Sequence, residues 1–336
     1  MSKIIVLGDI NADITMPIER YPLPGAEAVA HSLTVRAGGS AANTAVVLAR
    51  LGFTPRIIAR VGVDSWANQV LAELQSAGVD LAAVQRDPSR STGLTFVPVL
   101  PGGERTLFCE PGANRYTDAE EITHEIFRDV SAVHLSGYAL LDSPQRKAAW
   151  RILELADGRI PVSLDTALEP ALRATDEMRW LLPRLSLLIL GRREAAALSG
   201  RDIPEHAARA LVKTGVGIVG LTLGAGGCLL ASLEGLYSQP AYNVSTVDAT
   251  GAGDSFSAAM IGAFILGLSL PASAILASAM GALATTVRGG GASLPGKEDA
   301  VRFLQSRVDD RQEGEWVREA LSALAAHEPT ATRERS

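Results

Sequence analysis

A short acidic and glycine-rich stretch late in the chain has the residue types that phosphoryl chemistry needs. Over residues 247–256, Gly251, Ala252 and Gly253 directly precede Asp254. Glycines allow a close backbone approach, and a helix beginning there would point its free N–H groups and positive dipole end at an anion. A carboxylate beside a phosphate would be repelled, so its natural role is to accept the proton of an attacking hydroxyl. Asp254 is therefore the candidate general base; a simple N-cap in an ordinary turn is the alternative.

Polar residues that could bind hydroxyl groups follow the first predicted strand. That strand covers residues 3–7, and Asn11 and Asp13 lie shortly after its end. Open α/β sheets bind ligands beyond the carboxyl ends of their strands, so both side chains are candidates for contacts to a polar substrate. An Asx turn is the alternative. Farther along, Gly38 and Gly39 precede a predicted helix and would let a ligand approach the backbone.

Composition narrows the class of protein. The chain has 336 residues, a formal net charge of −6 and a pI near 5.5, without a long basic run, which argues against a nucleic-acid-binding surface. Its two cysteines, Cys109 and Cys228, lie far apart in apolar settings and are expected to be buried free thiols in a reducing cytoplasm. The five histidines show no metal-ligand spacing, and the N-terminal apolar run is too short for a signal peptide.

One apolar segment could be mistaken for a membrane span. Residues 255–287 contain no charged side chain, and the segment exceeds the length that crosses a bilayer. It is, however, rich in Ala, Gly and Ser and is interrupted at residues 267–271. Two short helices buried inside the protein fit this pattern better.

Hydrophobic periodicity predicts alternating strands and helices. The predicted strands cover residues 3–7, 56–61, 132–135, 160–164, 185–190, 217–221 and 228–231. The predicted helices cover residues 40–50, 65–76, 144–156, 193–198 and 204–214. This order predicts a parallel sheet with helices on both faces.

A second, smaller sheet is expected outside this body. Residues 92–100 and 105–110 alternate around a Pro-Gly-Gly-Glu turn and predict a β-hairpin. With the extended stretch before Gly38, the hairpin would form a lid that keeps water from the phosphoryl group. Near the C-terminus, residues 316–324 predict an amphipathic helix, and the last ten or so residues are expected to be disordered.

With both glycine motifs placed, the chain resembles the ribokinase-like (PfkB) family of carbohydrate and nucleoside kinases. The motifs are Gly38-Gly39-Ser40-Ala41-Ala42-Asn43 and Asp248-Ala249-Thr250-Gly251-Ala252-Gly253-Asp254. The resemblance covers about residues 3–308 and implies a three-layer α/β/α sandwich with a mostly parallel central sheet and a small β-sheet lid. It implies one kinase domain over 1–310, with lid segments at about 11–36 and 91–112, followed by a C-terminal helix and tail over 311–336. The implied activity is ATP-dependent phosphorylation of an alcohol.

The resemblance also implies roles for individual positions. Asp254 matches the catalytic base, with the amides of Gly251, Ala252 and Gly253 as the anion hole. The acceptor-binding positions are Asp13, Gly38, Gly39 and Asn43, with Asn11 beside them. The ATP-binding positions are Glu194, Thr222, Gly224, Gly226, Gly227 and Ser278, and Glu194 would also help to place Mg²⁺ through water. The positions for a monovalent cation such as K⁺, held mostly by backbone carbonyls, are Asp248, Thr250, Ala284, Val287, Gly289 and Ser293.

Three positions depart from the family pattern. Gly191 stands where the family's Asn-x-x-Glu motif has asparagine, and Ser40 stands where ribokinases proper have lysine. The segment Leu135-Ser136-Gly137-Tyr138 lacks the acidic residue that ribokinases proper place after this strand to bind the sugar. These departures weaken an assignment to ribose and leave the chemistry intact. The expected acceptor is a primary hydroxyl of a ribose-, fructose- or keto-acid-sugar-like molecule. The alternatives are a nucleoside kinase, for which Ser40 and Ser136 would leave room for a base, and a catalytically silent sugar sensor.

The lid also bears on the oligomeric state. Relatives often dimerise through it, and an apolar lid face with Leu94, Phe96 and Phe108 would permit a homodimer here. The other expected partners are ATP and a small sugar or nucleoside, with no nucleic acid and no membrane.

Overall fold

The computed structural model describes residues 2–101, 104–309 and 313–327. Over these residues the chain forms thirteen strands: β1 (Lys3–Leu7), β2 (Asn11–Pro17), β3 (Thr34–Gly38), β4 (Thr54–Gly62), β5 (Val84–Asp87), β6 (Gly93–Val99), β7 (Phe108–Glu110), β8 (Val130–Ser136), β9 (Val162–Asp165), β10 (Leu187–Gly191), β11 (Ile218–Thr222), β12 (Cys228–Ala231) and β13 (Leu236–Gln239). The same residues form eleven α-helices: α1 (Ser40–Arg50), α2 (Ser65–Ser76), α3 (Gln145–Ala156), α4 (Leu168–Arg173), α5 (Thr175–Leu181), α6 (Arg192–Ser199), α7 (Pro204–Val212), α8 (Ala252–Leu266), α9 (Leu270–Ala284), α10 (Lys297–Gln305) and α11 (Gly314–Ala326).

Nine strands build the large sheet, in the order β13-β12-β11-β10-β9-β8-β1-β4-β5. Neighbours from β11 to β5 run parallel, while β12 and β13 add an antiparallel edge. The strands of such a sheet are apolar along their whole length because helices cover both faces. The predicted mostly parallel sheet is therefore confirmed.

Strand β1 shows how the sheet divides the interior into two cores. Ile4 and Val6 face one hydrophobic cluster, which includes residues from α1, α2 and α8 to α11. Ile5 and Leu7 face the other, which includes residues from α3 to α7. Side chains alternate between the faces of a strand, so an unbroken apolar run feeds both cores. The result is the expected three-layer α/β/α sandwich.

The uncharged segment forms helices α8 and α9, which are buried along most of their length. Gly267 ends α8 in the left-handed conformation, and the Ser269 hydroxyl caps α9. Within the described ranges, no helix is long and apolar enough to cross a membrane. Two buried helices are thus the correct interpretation of this segment.

The small sheet has the order β3-β2-β6-β7. Strands β2 and β6 are parallel, whereas β3 and β7 pair antiparallel to them. The predicted second strand of the hairpin is shorter than expected: regular pairing is confined to β7, and Arg105 makes only an isolated bridge with Val99. Arg105 instead directs its guanidinium to the carboxylate of Asp248.

Sequence patterns missed β5 and β13, two four-residue edge strands. Such short strands at the ends of a sheet lack the long apolar run of an inner strand. The C-terminal helix, α11, was predicted, and it contributes Val317, Ala320 and Leu324 to the same core as α8 and α9. The predicted disordered tail lies outside the described residues.

Candidate active site

A cavity of about 610 Å³ lies between the small sheet and the carboxyl ends of the large sheet. It brings together most of the predicted acceptor and catalytic residues: Asn11, Asp13, Gly39, Asn43, Gly251, Gly253 and Asp254. Gly38 is adjacent in β3, where a Cβ atom would lie 2.0 Å from Oδ2 of Asp13. The missing side chain at position 38 therefore makes room for the Asp13 carboxylate.

Asp254 lies in the first turn of α8, and two side chains of α1 hold its carboxylate. The Ser40 hydroxyl donates to Oδ1 at 2.9 Å, and Nδ2 of Asn43 donates to Oδ2 at 2.8 Å. Oδ1 of Asn43 accepts in turn from the amide of Gly291 at 2.9 Å. Burial, reinforced by the charge of Asp165, raises the pKa of Asp254 to about 7 despite these two donors. A carboxylate that is fixed by two hydrogen bonds and has a pKa of about 7 can accept a proton near neutral pH.

The turn before Asp254 has the conformation that its glycines predict. Gly251 caps α8 in the left-handed region, with φ of 74°, and a Cβ atom there would lie 2.5 Å from the side chain of Leu294. Within the described residues, no carbonyl accepts from the Gly251 or Gly253 amides, whereas the Ala252 amide donates to the carbonyl of Ala249. Two of the three predicted anion-hole amides are therefore free, and Ala252 is engaged within the turn.

Asp9, which sequence analysis missed, organises the start of α1. Its carboxylate accepts from the backbone amides of Ser40 at 3.2 Å and Ala41 at 3.3 Å, and so caps a helix that is distant in sequence. Burial raises the pKa of Asp9. A Cβ atom on Gly39 would lie 2.6 Å from the carbonyl of Asp9, so glycine is required for this contact. The available signal was its position two residues after β1.

Asp165 was also missed, although it directly follows a predicted strand, residues 160–164. It lies at the carboxyl end of β9 and accepts a 2.6 Å hydrogen bond from the hydroxyl of Ser257 on α8. Burial raises the pKa of Asp165 to about 6, and the nearby charge of Glu194 adds to that effect. The charge of Glu194 therefore acts on a carboxylate that lines the cavity.

Asp13 is another buried carboxyl group that lines the cavity. Burial raises the pKa of Asp13 to about 7, against a hydrogen bond from Thr95. Its Oδ1 is buried, and among the described residues nothing donates to it. A buried carboxylate oxygen without a donor is costly, so a ligand hydroxyl is a fitting partner.

The predicted nucleotide loop lies outside this cavity and is held by its own backbone. It follows β11 at Thr222, and the Leu223 amide donates to the carbonyl of Gly227 at 2.8 Å. Gly224 and Gly227 have φ of 58° and 88°. Beneath the loop, the buried Ser278 hydroxyl lies 3.3 Å from Sγ of Cys228. The loop therefore presents backbone groups rather than side chains.

Glu194 lies in the first turn of α6, where its carboxylate folds back toward Gly191. A Cβ atom at position 191 would lie 2.5 Å from Oε2 of Glu194, so the glycine leaves space that the carboxylate occupies. Arg192 and Arg193 are exposed. The neighbouring carboxylates of Glu194 and Asp165 fit Mg²⁺, which binds through one or two carboxylates together with substrate phosphates.

The residues predicted to bind a monovalent cation surround a carboxylate that already has protein partners. Oδ1 of Asp248 accepts from Arg105 at 2.6 Å and from both the amide and the hydroxyl of Thr250, while Oδ2 accepts from the Gly289 amide. The Ser293 hydroxyl is within 3.2 Å of three carbonyls, including that of Gly289. In this arrangement Asp248 does not fit a K⁺ ligand, because Arg105 supplies the positive charge.

Two expectations about the surroundings of the cavity are corrected. Cys109 is exposed and lines the cavity instead of being buried, because β7 is an edge strand of the small sheet; Cys228 is buried as predicted. Ser136 is buried against Ala41 and Gly8 and does not line the cavity, so it makes no room for a nucleoside base. Ser40 does line the cavity, but its hydroxyl is bonded to Asp254.

The family model of the pfkB family carbohydrate kinases matches residues 1–297. The chain belongs to this family and is a sugar kinase. It is 31% identical over 319 residues to an ATP-dependent ribose-1-phosphate kinase of Halopiger xanaduensis, covering 92% of this chain and 100% of the relative. It is 30% identical over 325 residues to an aminoimidazole riboside kinase of Salmonella typhimurium, covering 91% of this chain and 96% of the relative. An Arabidopsis thaliana ribokinase complexed with ribose and ATP superposes with a TM-score of 0.76 at 26% identity, covering 90% of this chain and 99% of that structure.

Proposed function

We propose that this kinase transfers the γ-phosphoryl group of ATP to a primary hydroxyl of a ribose-, fructose- or keto-acid-sugar-like acceptor. The observation that carries the proposal is the Asp254 carboxylate, held by Ser40 and Asn43 in a cavity that also contains Asn11 and Asp13. The acceptor oxygen forms a bond to the γ-phosphorus, the bond from that phosphorus to ADP breaks, and Asp254 takes the hydroxyl proton. The free amides of Gly251 and Gly253 stabilise the charge on the transferring group.

The nucleotide end of the site comprises the loop at residues 222–227 together with Glu194 and Ser278. In this proposal the backbone of Gly224, Gly226 and Gly227 cradles ATP, as glycine-rich loops do for phosphates. Glu194, with Asp165 beside it, would hold Mg²⁺, which neutralises phosphate charge when bound. The similarity to the ATP-dependent Halopiger kinase supports ATP as the phosphoryl donor.

A nucleoside acceptor is the second candidate, and Tyr138 favours it. This ring lines the cavity with 39% of its surface exposed, so a base could stack on it. A nucleoside also presents a primary ribose hydroxyl to Asp254. The name of the Salmonella relative is consistent with such an acceptor.

An ADP-release assay tests the proposal against a panel of pentoses, hexoses, keto-acid sugars and nucleosides with MgATP. A sugar-dependent signal is expected, and saturation by nucleosides alone would favour the second candidate. Sugar binding measured by calorimetry, with no ADP formed by any acceptor, would indicate a silent sensor instead. The assay is run in K⁺ and in Na⁺. Because Arg105 already supplies a positive charge at Asp248, the rates of ADP release in K⁺ and in Na⁺ are expected to be equal. A higher rate in K⁺ would show that Asp248 exchanges Arg105 for the cation.

We also propose a homodimer through the small sheet and a cytoplasmic location. Phe96 and Phe108 are opposite each other in register on one face, with 38% and 56% of their surfaces exposed. Leu94 on the same face is partly buried against the core, so it adds less to this surface. Light scattering after size exclusion tests the dimer, and a monomer at high concentration would refute it.

A further inference from the structure

Two arginines at the mouth of the cavity are placed to bind an anion. Arg115, in the 3₁₀ turn at Gly112–Tyr116, and Arg173, at the end of α4, both line the cavity and are half exposed. They approach the same carboxylate, that of Asp142, from two sides. Nε of Arg115 is 3.7 Å from Oδ2, and a terminal nitrogen of Arg173 is 4.0 Å from Oδ1. These are loose ion pairs rather than hydrogen bonds.

The other cationic group lining the cavity is held more tightly. Arg105 is 2.6 Å from Asp248 and is only 25% exposed. Arg173 has one further contact, 3.4 Å to Glu169 one helical turn away, of a kind that contributes little at an exposed site. Arg115 and Arg173 can therefore turn their guanidinium forks toward a ligand at little cost, and such forks match phosphate and carboxylate groups.

The carboxylates of the cavity add a requirement on orientation. Asp9, Asp13, Asp165 and Asp254 line it and would repel an anionic group placed near them. Glu110, Asp142 and Glu169 line it as well, and the last two are paired with the arginines. The two loosely held guanidinium groups therefore favour an anionic acceptor bound with its charge on the arginine pair and its reacting hydroxyl at Asp254. The arginine pair would thus both bind such an acceptor and orient it.

We infer that the acceptor carries an anionic group, a phosphate or a carboxylate, remote from the reacting hydroxyl, and that Arg115 and Arg173 bind that group. This inference rests on the proposed function and deepens it by naming the acceptor class. The two arginines are specificity-determining residues, and Asp142 holds them in place while the cavity is free of ligand.

The test compares acceptors with and without an anionic group. Ribose, ribose 1-phosphate and 2-keto-3-deoxygluconate are assayed with MgATP, and ribose 5-phosphate, whose primary hydroxyl is blocked, is the negative control. We expect at least tenfold higher kcat/KM for one of the two anionic acceptors than for ribose, and the preferred one identifies the anion. A neutral sugar or nucleoside equal to or better than both anions would overturn the inference and leave the kinase proposal standing.

Variants assign the effect to the arginines. R115Q and R173Q should each raise KM for the anionic acceptor at least tenfold, and by a larger factor than they raise KM for ribose. D142N removes the competing carboxylate and should lower KM for the anionic acceptor. R159Q, at an arginine that is 85% exposed and outside the cavity, is the matched control. Equal effects on neutral and anionic acceptors would refute the assignment.

Binding measurements test the preference for an anionic acceptor independently of catalytic turnover. Calorimetry on D254N, titrated with ribose and with ribose 1-phosphate, measures the same preference without chemistry. If no acceptor yields ADP with the wild type, the proposed function fails. The inference then stands only if ribose 1-phosphate still binds D254N at least tenfold more tightly than ribose, and it falls if the two bind alike.

Discussion

The acceptor end and the nucleotide end of the proposed site are built in different ways. At the acceptor end, side chains hold one another: Ser40 and Asn43 hold Asp254, while Asp9 caps the helix that carries them. At the nucleotide end, the loop after β11 is closed by backbone hydrogen bonds and kept open by glycines. The acceptor end therefore depends on particular side chains, whereas the nucleotide end depends on backbone conformation.

This difference has a chemical reason. Phosphates are alike in every nucleotide, so backbone amides in a glycine-rich turn suffice to bind them. An acceptor must be distinguished from similar sugars and deprotonated at one oxygen, which requires oriented polar side chains. Substitutions at the two ends should consequently change different kinetic constants.

The largest effect is expected from D254N. The amide cannot accept the hydroxyl proton, so kcat should fall about 10³-fold, within the range that general bases contribute. Acceptor and ATP affinities measured by calorimetry should change little, since an amide is the same size and the Ser40 hydroxyl can accept as well as donate. A variant that kept the wild-type kcat would show that Asp254 is not the general base.

Local patterns were enough to predict the body of the fold. Apolar runs with turn signals located β1, β4 and β8 to β12, and β12 was predicted with its observed bounds. Helix α2 also has the predicted bounds, because Asp64 caps its start by accepting from the Ala67 amide. The bounds of these elements are set by residues close to them in the sequence.

Part of the acceptor end could not be predicted, because it is formed by residues distant in the chain. Ser40 and Asp254 are 214 positions apart, and their hydrogen bond has no sequence signature. Arg105 was predicted as part of a regular strand, yet its contact with Asp248 spans 143 positions. Cys109 was misassigned as buried because β7 is an edge strand of the small sheet, which its local sequence does not reveal.

The nucleotide end is tested by a pair of glycine variants. G227A should raise KM for ATP about tenfold, because a Cβ atom there would lie 2.0 Å from the carbonyl of Gln239 and φ is 88°. G224A is the matched control: φ is 58°, but nothing lies within 4 Å of its Cβ position, so the cost is about 1 kcal/mol of backbone strain. Acceptor affinity should be unchanged in both. A loss of acceptor binding in G227A would show that the two ends are coupled.

The smallest predicted effect is a pH-dependent change in thermal stability caused by Asp254 at the acceptor end. The pKa of Asp254 is raised to about 7 in the folded chain, whereas an unfolded aspartate titrates near its ordinary value of 3.8. The folded state therefore binds the extra proton between about pH 4 and 7, and this contribution to stability is lost as pH rises through 7. D254N should raise the Tm of the ligand-free protein by about 2 °C or more at pH 8 and by less at pH 5, where the folded aspartate is already protonated.

Asp87 provides the control of opposite sign. The hydroxyl and amide of Ser89 and the guanidinium groups of Arg60 and Arg90 bond this carboxylate and hold its pKa well below the ordinary value. Its ionised form stabilises the fold at pH 8, so D87N should lower the Tm there. Differential scanning calorimetry at the two pH values measures both variants. If D254N lowered the Tm at pH 8 as D87N does, the ionised Asp254 carboxylate would stabilise the fold, and the contrast between the two ends of the site would lose its energetic basis.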